Sequence, residues 1–232
     1  MDNILECKNL TKNYAGIRAL QNINLSVPKG KIVGLLGPNG SGKTTLIKMA
    51  AGLLVPTAGE IRIDGMKPGV ETKKIVSYLP EQTYLSMWMT VEDLLNYFMD
   101  FYEDFNIARA RDMLIALGID EKQKLKTMSK GTKEKVQLIL VMSREAKLYL
   151  LDEPIAGVDP AARDYILNTI ITNYNSDATI IISTHLIYDI ERILDEFIFI
   201  SNHSVLMQAE TDTIREKQGK SVDQLFREVF RC

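Results

Sequence analysis

Short apolar runs recur along the chain, and each is bounded by glycine, proline, asparagine or aspartate, which is typical of β-strands. Near the N-terminus the runs alternate or are β-branched, and they predict strands at Ile4–Cys7, Ile23–Val27 and Glu60–Ile63. Other runs are continuously apolar, as expected of buried strands in a parallel sheet, and they lie at Lys31–Leu36, Leu148–Leu151, Thr179–Ile182 and Phe197–Ile200.

Helical patterns precede or separate these strands, at Thr44–Leu54, Lys133–Arg144 and Ala161–Asn173. Strands that alternate with helices predict an α/β fold with a parallel sheet. Residues 84–130 differ, because they hold helical patterns at Val91–Tyr102 and Ile107–Leu117 and no strand pattern. We therefore expect a helical lobe inserted into the sheet domain. A helical tail is expected over about residues 211–232, with a short amphipathic helix at Val222–Phe230.

Composition places the chain among globular proteins, with 46% apolar and 25% charged residues in a length of 232. This length predicts a single domain over residues 1–232. The net charge of −2 predicts no nucleic-acid partner. The two cysteines, Cys7 and Cys232, lie at opposite ends and form no disulfide framework or metal-binding spacing. No uncharged apolar run is long enough to span a bilayer.

A glycine-rich segment follows the run Lys31–Leu36 and matches the phosphate-loop pattern Gly-x4-Gly-Lys-Ser/Thr. Its glycines allow successive backbone N–H groups to point at phosphate oxygens. Lys43 can reach the β- and γ-phosphates, and Thr44 can offer its hydroxyl to Mg²⁺. The alternative, a strand–turn–helix link that happens to be rich in glycine, is disfavoured by this match. The predicted nucleotide-binding residues here are Gly37, Pro38, Asn39, Gly40, Ser41, Gly42, Lys43, Thr44 and Thr45.

A second acidic motif ends the apolar run Leu148–Leu151 with Asp152 and Glu153. Asp152 stands where a strand end would meet the Mg²⁺ ion. Glu153 comes next and is expected to point the other way along the strand, as a general base for the attacking water. Alone, this pattern also fits ordinary acidic residues in a turn. The phosphate loop upstream favours the catalytic interpretation.

Together the two motifs resemble those of the ATP-binding-cassette ATPases, and the resemblance covers about residues 3–210. It implies a P-loop NTPase fold with a mostly parallel core sheet, a small antiparallel β subdomain and an inserted helical lobe. It also implies ATP and Mg²⁺ as ligands and ATP hydrolysis as the activity.

Further site residues follow from this resemblance. Tyr14 matches the aromatic residue that stacks on adenine. The segment 128–132 stands where the family has Leu-Ser-Gly-Gly-Gln, and its Ser129 lies 23 residues before Asp152. Ser129 and Gly131 match that signature, whereas Lys130 and Thr132 depart from it. In the family this segment begins a helix whose N-terminus faces the γ-phosphate held by a second subunit.

Three more positions match functional residues that follow strands in the family. The segment Ala156–Asp159 matches its aspartate-containing loop, although Asp159-Pro160 is also an ordinary helix start. His185 matches the switch histidine that contacts the γ-phosphate. The slot for a glutamine that senses Mg²⁺ and water falls on Glu81, with Gln82 beside it. Either side chain is a candidate for that role.

The departures at Glu81, Lys130 and Thr132 look most like the branch that serves exporters of drugs and antimicrobial peptides. Tyr84–Met89 is the densest cluster of aromatic and methionine residues and contains the one tryptophan, Trp88. In the family this segment borders the groove that receives a helix of the membrane subunit. Packing inside the helical lobe is an equally good interpretation of the cluster.

The resemblance therefore predicts an ATP-hydrolysing subunit of a membrane transporter. It would pair with itself or with a related ATPase subunit around two MgATP, and would drive a separate transmembrane subunit from the cytoplasmic face of the membrane. The alternative is a nucleotide-gated regulatory or immunity protein with little turnover. Glu81 and the altered signature favour that alternative, whereas Glu153 and His185 argue against it.

Overall fold

The structure is a computed structural model that describes residues 2–156, 160–173, 175 and 177–230. Over these residues the strands are β1 (Asn3–Tyr14), β2 (Ile17–Pro28), β3 (Ile32–Leu36), β4 (Ala58–Ile63), β5 (Val76–Leu79), β6 (Leu148–Asp152), β7 (Thr179–Thr184), β8 (Glu196–Ser201) and β9 (Ser204–Glu210). The α-helices are α1 (Lys43–Ala50), α2 (Val70–Ile75), α3 (Val91–Phe101), α4 (Ile107–Ala116), α5 (Lys130–Met142), α6 (Pro160–Asn173), α7 (Ile187–Ile190), α8 (Thr211–Gln218) and α9 (Val222–Phe230).

The larger sheet has six strands in the order β5-β6-β7-β3-β8-β9. All neighbours from β5 to β8 pair in parallel, and β9 pairs antiparallel with β8. Every residue of β3, β6 and β7 is buried, as the continuous apolar runs predict. The predicted α/β fold with a mostly parallel sheet is confirmed.

A smaller antiparallel sheet has the order β2-β1-β4. Its hairpin strands β1 and β2 are each 12 residues long, much longer than the apolar runs that predict them. The hairpin turns at Ala15 and Gly16, which both have a positive φ. The additional strand residues include many polar side chains on the outer face of the sheet. The hydrophobic pattern alone therefore underestimates the length of these strands.

Alternation along β6 divides the interior into two hydrophobic clusters. Leu148 and Leu150 pack with residues of the antiparallel sheet and of α1. Tyr149 and Leu151 point to the other face and pack with residues of α3 and α5. Because successive side chains of a strand point to opposite faces, this one strand contributes to both clusters.

The helical lobe comprises α3, α4, the 3₁₀ turn Leu125–Thr127 and the start of α5, and no strand lies between residues 84 and 130. Arg144, after α5, joins this lobe to the sheet. Its guanidinium makes two 2.9 Å bonds to the Asp104 carboxylate and donates to the carbonyls of Lys74 and Val76. It also lies 3.9 Å from the centre of the Tyr102 ring.

The C-terminal helices α8 and α9 follow β9, and α9 extends to residue 230. Phe226 and Phe230 pack their rings against Phe199 of β8, with ring centres 5.4 and 5.7 Å apart. Within the ranges that the structure describes, no helix combines the length and the apolar character needed to cross a membrane.

Candidate functional site

The phosphate loop joins β3 to α1 and has glycine where the backbone leaves no room for a side chain. A Cβ at Gly37 would lie 2.3 Å from the carbonyl oxygen of Ile200. A Cβ at Gly42 would lie 2.6 Å from the carbonyl oxygen of Ala19, and Gly42 also has a φ of 109°. Glycine is therefore required at both positions for the loop to lie against the strands around it.

This loop forms one wall of a cavity of about 350 Å³. The N-terminus of α1 opens onto it, and the first turn of that helix has no acidic residue. Ser41 adds a buried hydroxyl with no hydrogen-bond partner among the described residues. Helix N-termini and unpaired N–H and O–H donors favour anions such as phosphate. The cavity is lined by Ala19, Asn39, Gly40, Ser41, Gly42, Lys43, Thr44, Thr45, Glu81, Glu153, Ala156 and His185.

Lys43 is almost fully buried at this cavity, with 5% of its surface exposed. Its ammonium donates to the carbonyls of Gly37 at 2.8 Å and Pro38 at 3.2 Å, and lies 3.9 Å from Oε1 of Glu153. Burial lowers the pKa of Lys43, and the carboxylates of Glu153, Asp152 and Glu81 oppose that shift. These carboxylates stabilise a buried cation beside the phosphate loop.

Asp152 ends β6 with a buried carboxylate. Its Oδ1 accepts hydrogen bonds from Thr44 Oγ1 at 3.1 Å and Ser183 Oγ at 2.5 Å. Its Oδ2 is buried and has no hydrogen-bond partner among the described residues. Burial raises the pKa of Asp152, and the two hydroxyls oppose that shift. An unpaired carboxylate oxygen next to a hydroxyl is the kind of oxygen donor set that Mg²⁺ prefers.

Glu153 lies just beyond the strand, and its backbone is left-handed, with a φ of 51°. Its N–H donates to the Ser183 carbonyl at 3.0 Å. Its carboxylate accepts from Thr184 Oγ1 at 3.2 Å and lies 3.1 Å from Nδ1 of His185. Since the extended backbone ends at Asp152, the alternation expected along the strand does not continue. Both carboxylates therefore lie close to the phosphate loop, that of Glu153 near Lys43 and that of Asp152 near Thr44.

The structure separates the two candidates at the end of β5. Glu81 lines the phosphate-loop cavity, and its charge acts on Lys43. Gln82 lines a neighbouring cavity of about 480 Å³, which lies between α1, β5 and the helical lobe. Sequence could not distinguish these adjacent polar residues.

Other predicted site residues lie outside the phosphate-loop cavity. Tyr14 stands at the end of β1 with 39% of its surface exposed, and the Lys12 ammonium lies 5.1 Å from its ring centre. Ser129 is the exposed N-cap of α5, where its Oγ accepts from the N–H of Thr132 at 3.1 Å. Gly131 is in the first turn of that helix. Ser129 and Gly131 are therefore free to meet something outside this chain's own cavity.

The aspartate-containing loop is only partly described, because residues 157–159 lie outside the described ranges. Ala156, which precedes them, lines the cavity. The cluster Tyr84–Met89 divides between surface and core. Trp88 is 72% exposed, whereas Leu85 is buried. Packing inside the lobe therefore accounts for Leu85 and not for the tryptophan.

Two hydroxyl residues that end β7, Ser183 and Thr184, also belong to the site, although they are not among the residues predicted from sequence. Ser183 binds Asp152, and Thr184 binds Glu153. The signal was present, because carboxyl ends of adjacent parallel strands meet at one edge of a sheet. It could be used only once β6 and β7 were known to be neighbours.

Comparison with known proteins gives a consistent result. A sequence model of the ABC transporter family matches residues 20–156. The ABC transporter ATP-binding protein YtrB of Bacillus subtilis (strain 168) is 30% identical over 220 residues, which cover 94% of this chain and 75% of YtrB. The SkfA peptide export ATP-binding protein SkfE of the same organism is 29% identical over 221 residues, 92% of each chain.

A solved structure described as the ATP binding subunit of an ABC transporter has the same fold, with a TM-score of 0.88 and 32% identity. The match covers 98% of this chain and 99% of the other. The family resemblance and fold predicted from sequence are thereby confirmed. Since the family model matches more than half of the chain and YtrB aligns with nearly all of it, this protein belongs to the ABC transporter family, as an ATP-binding ATPase subunit.

Proposed function

We propose that this protein hydrolyses MgATP in a pair of ATPase subunits and uses the cycle to drive export through a separate membrane subunit. The observation that carries the proposal is the convergence of Lys43, Glu153 and His185 on the phosphate-loop cavity. Residues 1–232 act as one ATPase domain, with a helical lobe over about 84–130 and a helical tail over about 211–232.

ATP binding uses the backbone of residues 37–45, the dipole of α1 and the Lys43 ammonium, all of which favour phosphate oxygens. Lys43 is held by the carbonyls of Gly37 and Pro38, so its charge lies beside the loop before the nucleotide arrives. Tyr14 stacks on the adenine ring. Its exposed face and position at the rim of the hairpin support this role.

Thr44 and Asp152 are the residues that would hold Mg²⁺, and the unpaired Oδ2 of Asp152 supports this assignment. When bound, Mg²⁺ offsets the negative charge on the phosphate oxygens. Glu81, rather than Gln82, is the residue that senses the ion and the attacking water, since Glu81 lines the cavity.

Glu153 is the general base. Its carboxylate accepts a proton from the water that attacks the γ-phosphorus, the bond from that phosphorus to the β-phosphate oxygen breaks, and ADP and phosphate are released. Thr184 and His185 hold the carboxylate at distances of 3.2 and 3.1 Å. His185 also contacts the γ-phosphate. The position of Glu153 therefore depends on whether the γ-phosphate is bound.

A second copy, or a related ATPase subunit, completes the site. Ser129 and Gly131 begin α5 on the surface, and the N-terminus of this 13-residue helix favours an anion. In the pair, each Ser129 segment faces the γ-phosphate bound by the other subunit. Ser129 lies outside its own chain's cavity, which supports an arrangement of this kind.

The membrane subunit docks on the surface around Trp88 and the cavity lined by Gln82 and Tyr84. Aromatic side chains exposed there are typical of interfaces. The peptide-export name of the relative SkfE supports transport out of the cell. The protein then works as a peripheral subunit on the cytoplasmic face of the membrane.

Glu153→Gln tests the proposal, because the amide keeps the size of the carboxylate but cannot accept the proton. The variant is expected to bind MgATP, to hydrolyse it at least about 100-fold more slowly, and to accumulate as a nucleotide-bound dimer. Phosphate release and size-exclusion chromatography with light scattering measure both effects. The nucleotide-free protein is expected to be largely monomeric.

Adding Ser129→Arg to Glu153→Gln is the matched control, because a bulky side chain at the helix end blocks the partner's γ-phosphate site. Loss of the dimer in this double variant supports the paired site. A wild-type chain that binds MgATP without turnover, alone and with its co-expressed membrane partner, would instead support the nucleotide-gated regulatory function.

A further inference from the structure

Gln137, in the second half of α5, is a buried amide that connects this helix to the Glu81 segment. Only 3% of its surface is exposed. Its Nε2 donates to the carbonyl oxygen of Pro80 at 3.1 Å. Because a carbonyl only accepts hydrogen bonds, the amide nitrogen must be the group that faces Pro80. Pro80 directly precedes Glu81, which lines the phosphate-loop cavity.

The other end of the same amide is unpaired. Oε1 of Gln137 is buried and has no hydrogen-bond partner within the described ranges. A buried amide with one unpaired end is less favourable than an apolar side chain of equal length. Its neighbours Val136, Leu138 and Ile139 are apolar and buried. Packing alone would therefore favour a residue such as methionine here, and the bond to Pro80 is what the glutamine adds.

The hydrogen bond from Gln137 fixes Pro80, which lies outside the hydrogen-bonded part of the sheet. Strand β5 ends at Leu79, where its pairing with β6 also ends, so Pro80 and Glu81 lie beyond the ladder. By contrast, Ser77 is inside the ladder, paired with Tyr149, and its Oγ donates to the Val141 carbonyl of α5 at 2.9 Å. The hydrogen bonds of Ser77 and Gln137 thus join α5 to one position inside β5 and to one position just after its end.

Ser129 is the N-cap of the same helix and lies eight residues before Gln137. At a rise of 1.5 Å per residue, the two side chains are about 12 Å apart along a continuous helix. One continuous helix and one hydrogen bond therefore connect Ser129 to Pro80.

We propose that Gln137 is a positioning residue that couples the Ser129 end of α5 to the Glu81 carboxylate. When Ser129 meets the nucleotide of the partner subunit, α5 sets the position of Glu81 in its own cavity through Pro80. This inference rests on the proposed function, since it requires a second subunit at Ser129.

Gln137→Met tests the coupling, because methionine keeps the length of the side chain and removes the donor. We expect kcat for ATP hydrolysis to fall about tenfold, the effect of losing one ordinary hydrogen bond in the transition state. KM for ATP is expected to remain the same. The melting temperature is expected to remain the same or to rise. Ser77→Ala is the matched control, and it is expected to lower the melting temperature without lowering kcat.

A double-mutant cycle with Glu81→Ala separates coupling from a general disturbance of α5. If Gln137 acts through Glu81, Gln137→Met lowers kcat in the wild-type background and has no further effect in the Glu81→Ala background. Additive losses in the two backgrounds, or an unchanged kcat in Gln137→Met, would overturn the proposal.

Hydrogen exchange provides a readout that does not need turnover. In peptides that span residues 79–85, Gln137→Met is expected to exchange several-fold faster than the wild type, whereas Ser77→Ala is expected to leave these peptides unchanged. Equal exchange in Gln137→Met and the wild type would refute the link to Pro80. A wild-type chain without ATPase activity would contradict the proposed function, and the exchange experiment would still decide whether Gln137 holds this segment.

Discussion

The phosphate-loop cavity and the Ser129 end of α5 carry the two halves of the proposed chemistry, and they are built differently. Around the cavity Lys43 and Asp152 are buried and Glu153 is half-buried, and each contacts another side chain of the same chain: Lys43 lies near Glu153, Asp152 binds Thr44 and Glu153 binds Thr184. At the end of α5, Ser129 is exposed and binds the first turn of its own helix. The cavity is organised within one chain, whereas the helix end is presented outward.

Substitutions in the two regions are expected to act differently. Buried charges need partners, so removing one of them leaves another uncompensated. The exposed helix end has no such constraint, and a substitution there should alter pairing between subunits with little effect on the fold. Mutations in the two regions should therefore be separable by experiment.

Lys43→Ala and Ser129→Arg should break opposite halves of the paired site, and this is the largest effect expected. Each variant alone should lose at least about 100-fold in ATP hydrolysis, because Lys43→Ala removes a charge that stabilises the phosphates and Ser129→Arg blocks the partner's γ-phosphate site. Lys43→Ala should also weaken ATP binding by the monomer, whereas Ser129→Arg should not. Phosphate release and ATP titration measure these differences.

Mixing the two variants tests whether the intact halves of two chains can form one site. In a mixed dimer one site has both defects, and the other has the intact Lys43 of one chain and the intact Ser129 of its partner. Mixing the variants in equal amounts should therefore restore ATP hydrolysis that neither variant shows alone, since only the mixed dimer holds an intact site. No recovery from two folded variants would contradict pairing between identical chains.

Tyr14 tests whether the rim of the hairpin belongs to the site, with a smaller effect. Tyr14→Ala should raise the Kd for ATP about fivefold or more, because base stacking on an aromatic ring is lost. Tyr14→Trp should nearly preserve the affinity. Ile17→Ala is a suitable control, because Ile17 pairs with Tyr14 across the hairpin and is also exposed. Equal losses in Tyr14→Ala and Ile17→Ala would assign the effect to the hairpin instead.

The smallest effect is expected for Trp88→Ala in the isolated chain. Trp88 is exposed, so the free energy of unfolding should change by about 0.5 kcal/mol or less, with no change in ATP affinity. The nearby Leu85→Ala should cost about 2–5 kcal/mol, because Leu85 is buried. In the assembled transporter, Trp88→Ala should reduce coupling to the membrane subunit. A large loss of stability on Trp88→Ala would show that the tryptophan packs the lobe.

Sequence patterns predicted the central fold and the phosphate loop because both depend on local features. The apolar runs of β3, β6 and β7 are buried throughout, and Gly37 and Gly42 of the loop are required by close backbone contacts. Both features leave a signature within a few consecutive residues.

The remaining features depend on tertiary contacts. The left-handed backbone at Glu153, its hydrogen bond to Thr184 and the choice between Glu81 and Gln82 all require knowledge of neighbouring strands. Likewise, β9 pairs as an edge strand with alternating exposure. Its pattern carries less apolar signal than the central strands, and sequence analysis missed it.

Strand β6 also constrains how the protein can vary. Its alternate side chains fill two separate hydrophobic clusters, and its last residue is Asp152. Inserting or deleting one residue would exchange the occupants of both clusters and displace that carboxylate by about 3.3 Å. We therefore expect natural variants to differ in this strand by substitution alone, whereas length changes should accumulate in surface turns such as the one at Ala15 and Gly16.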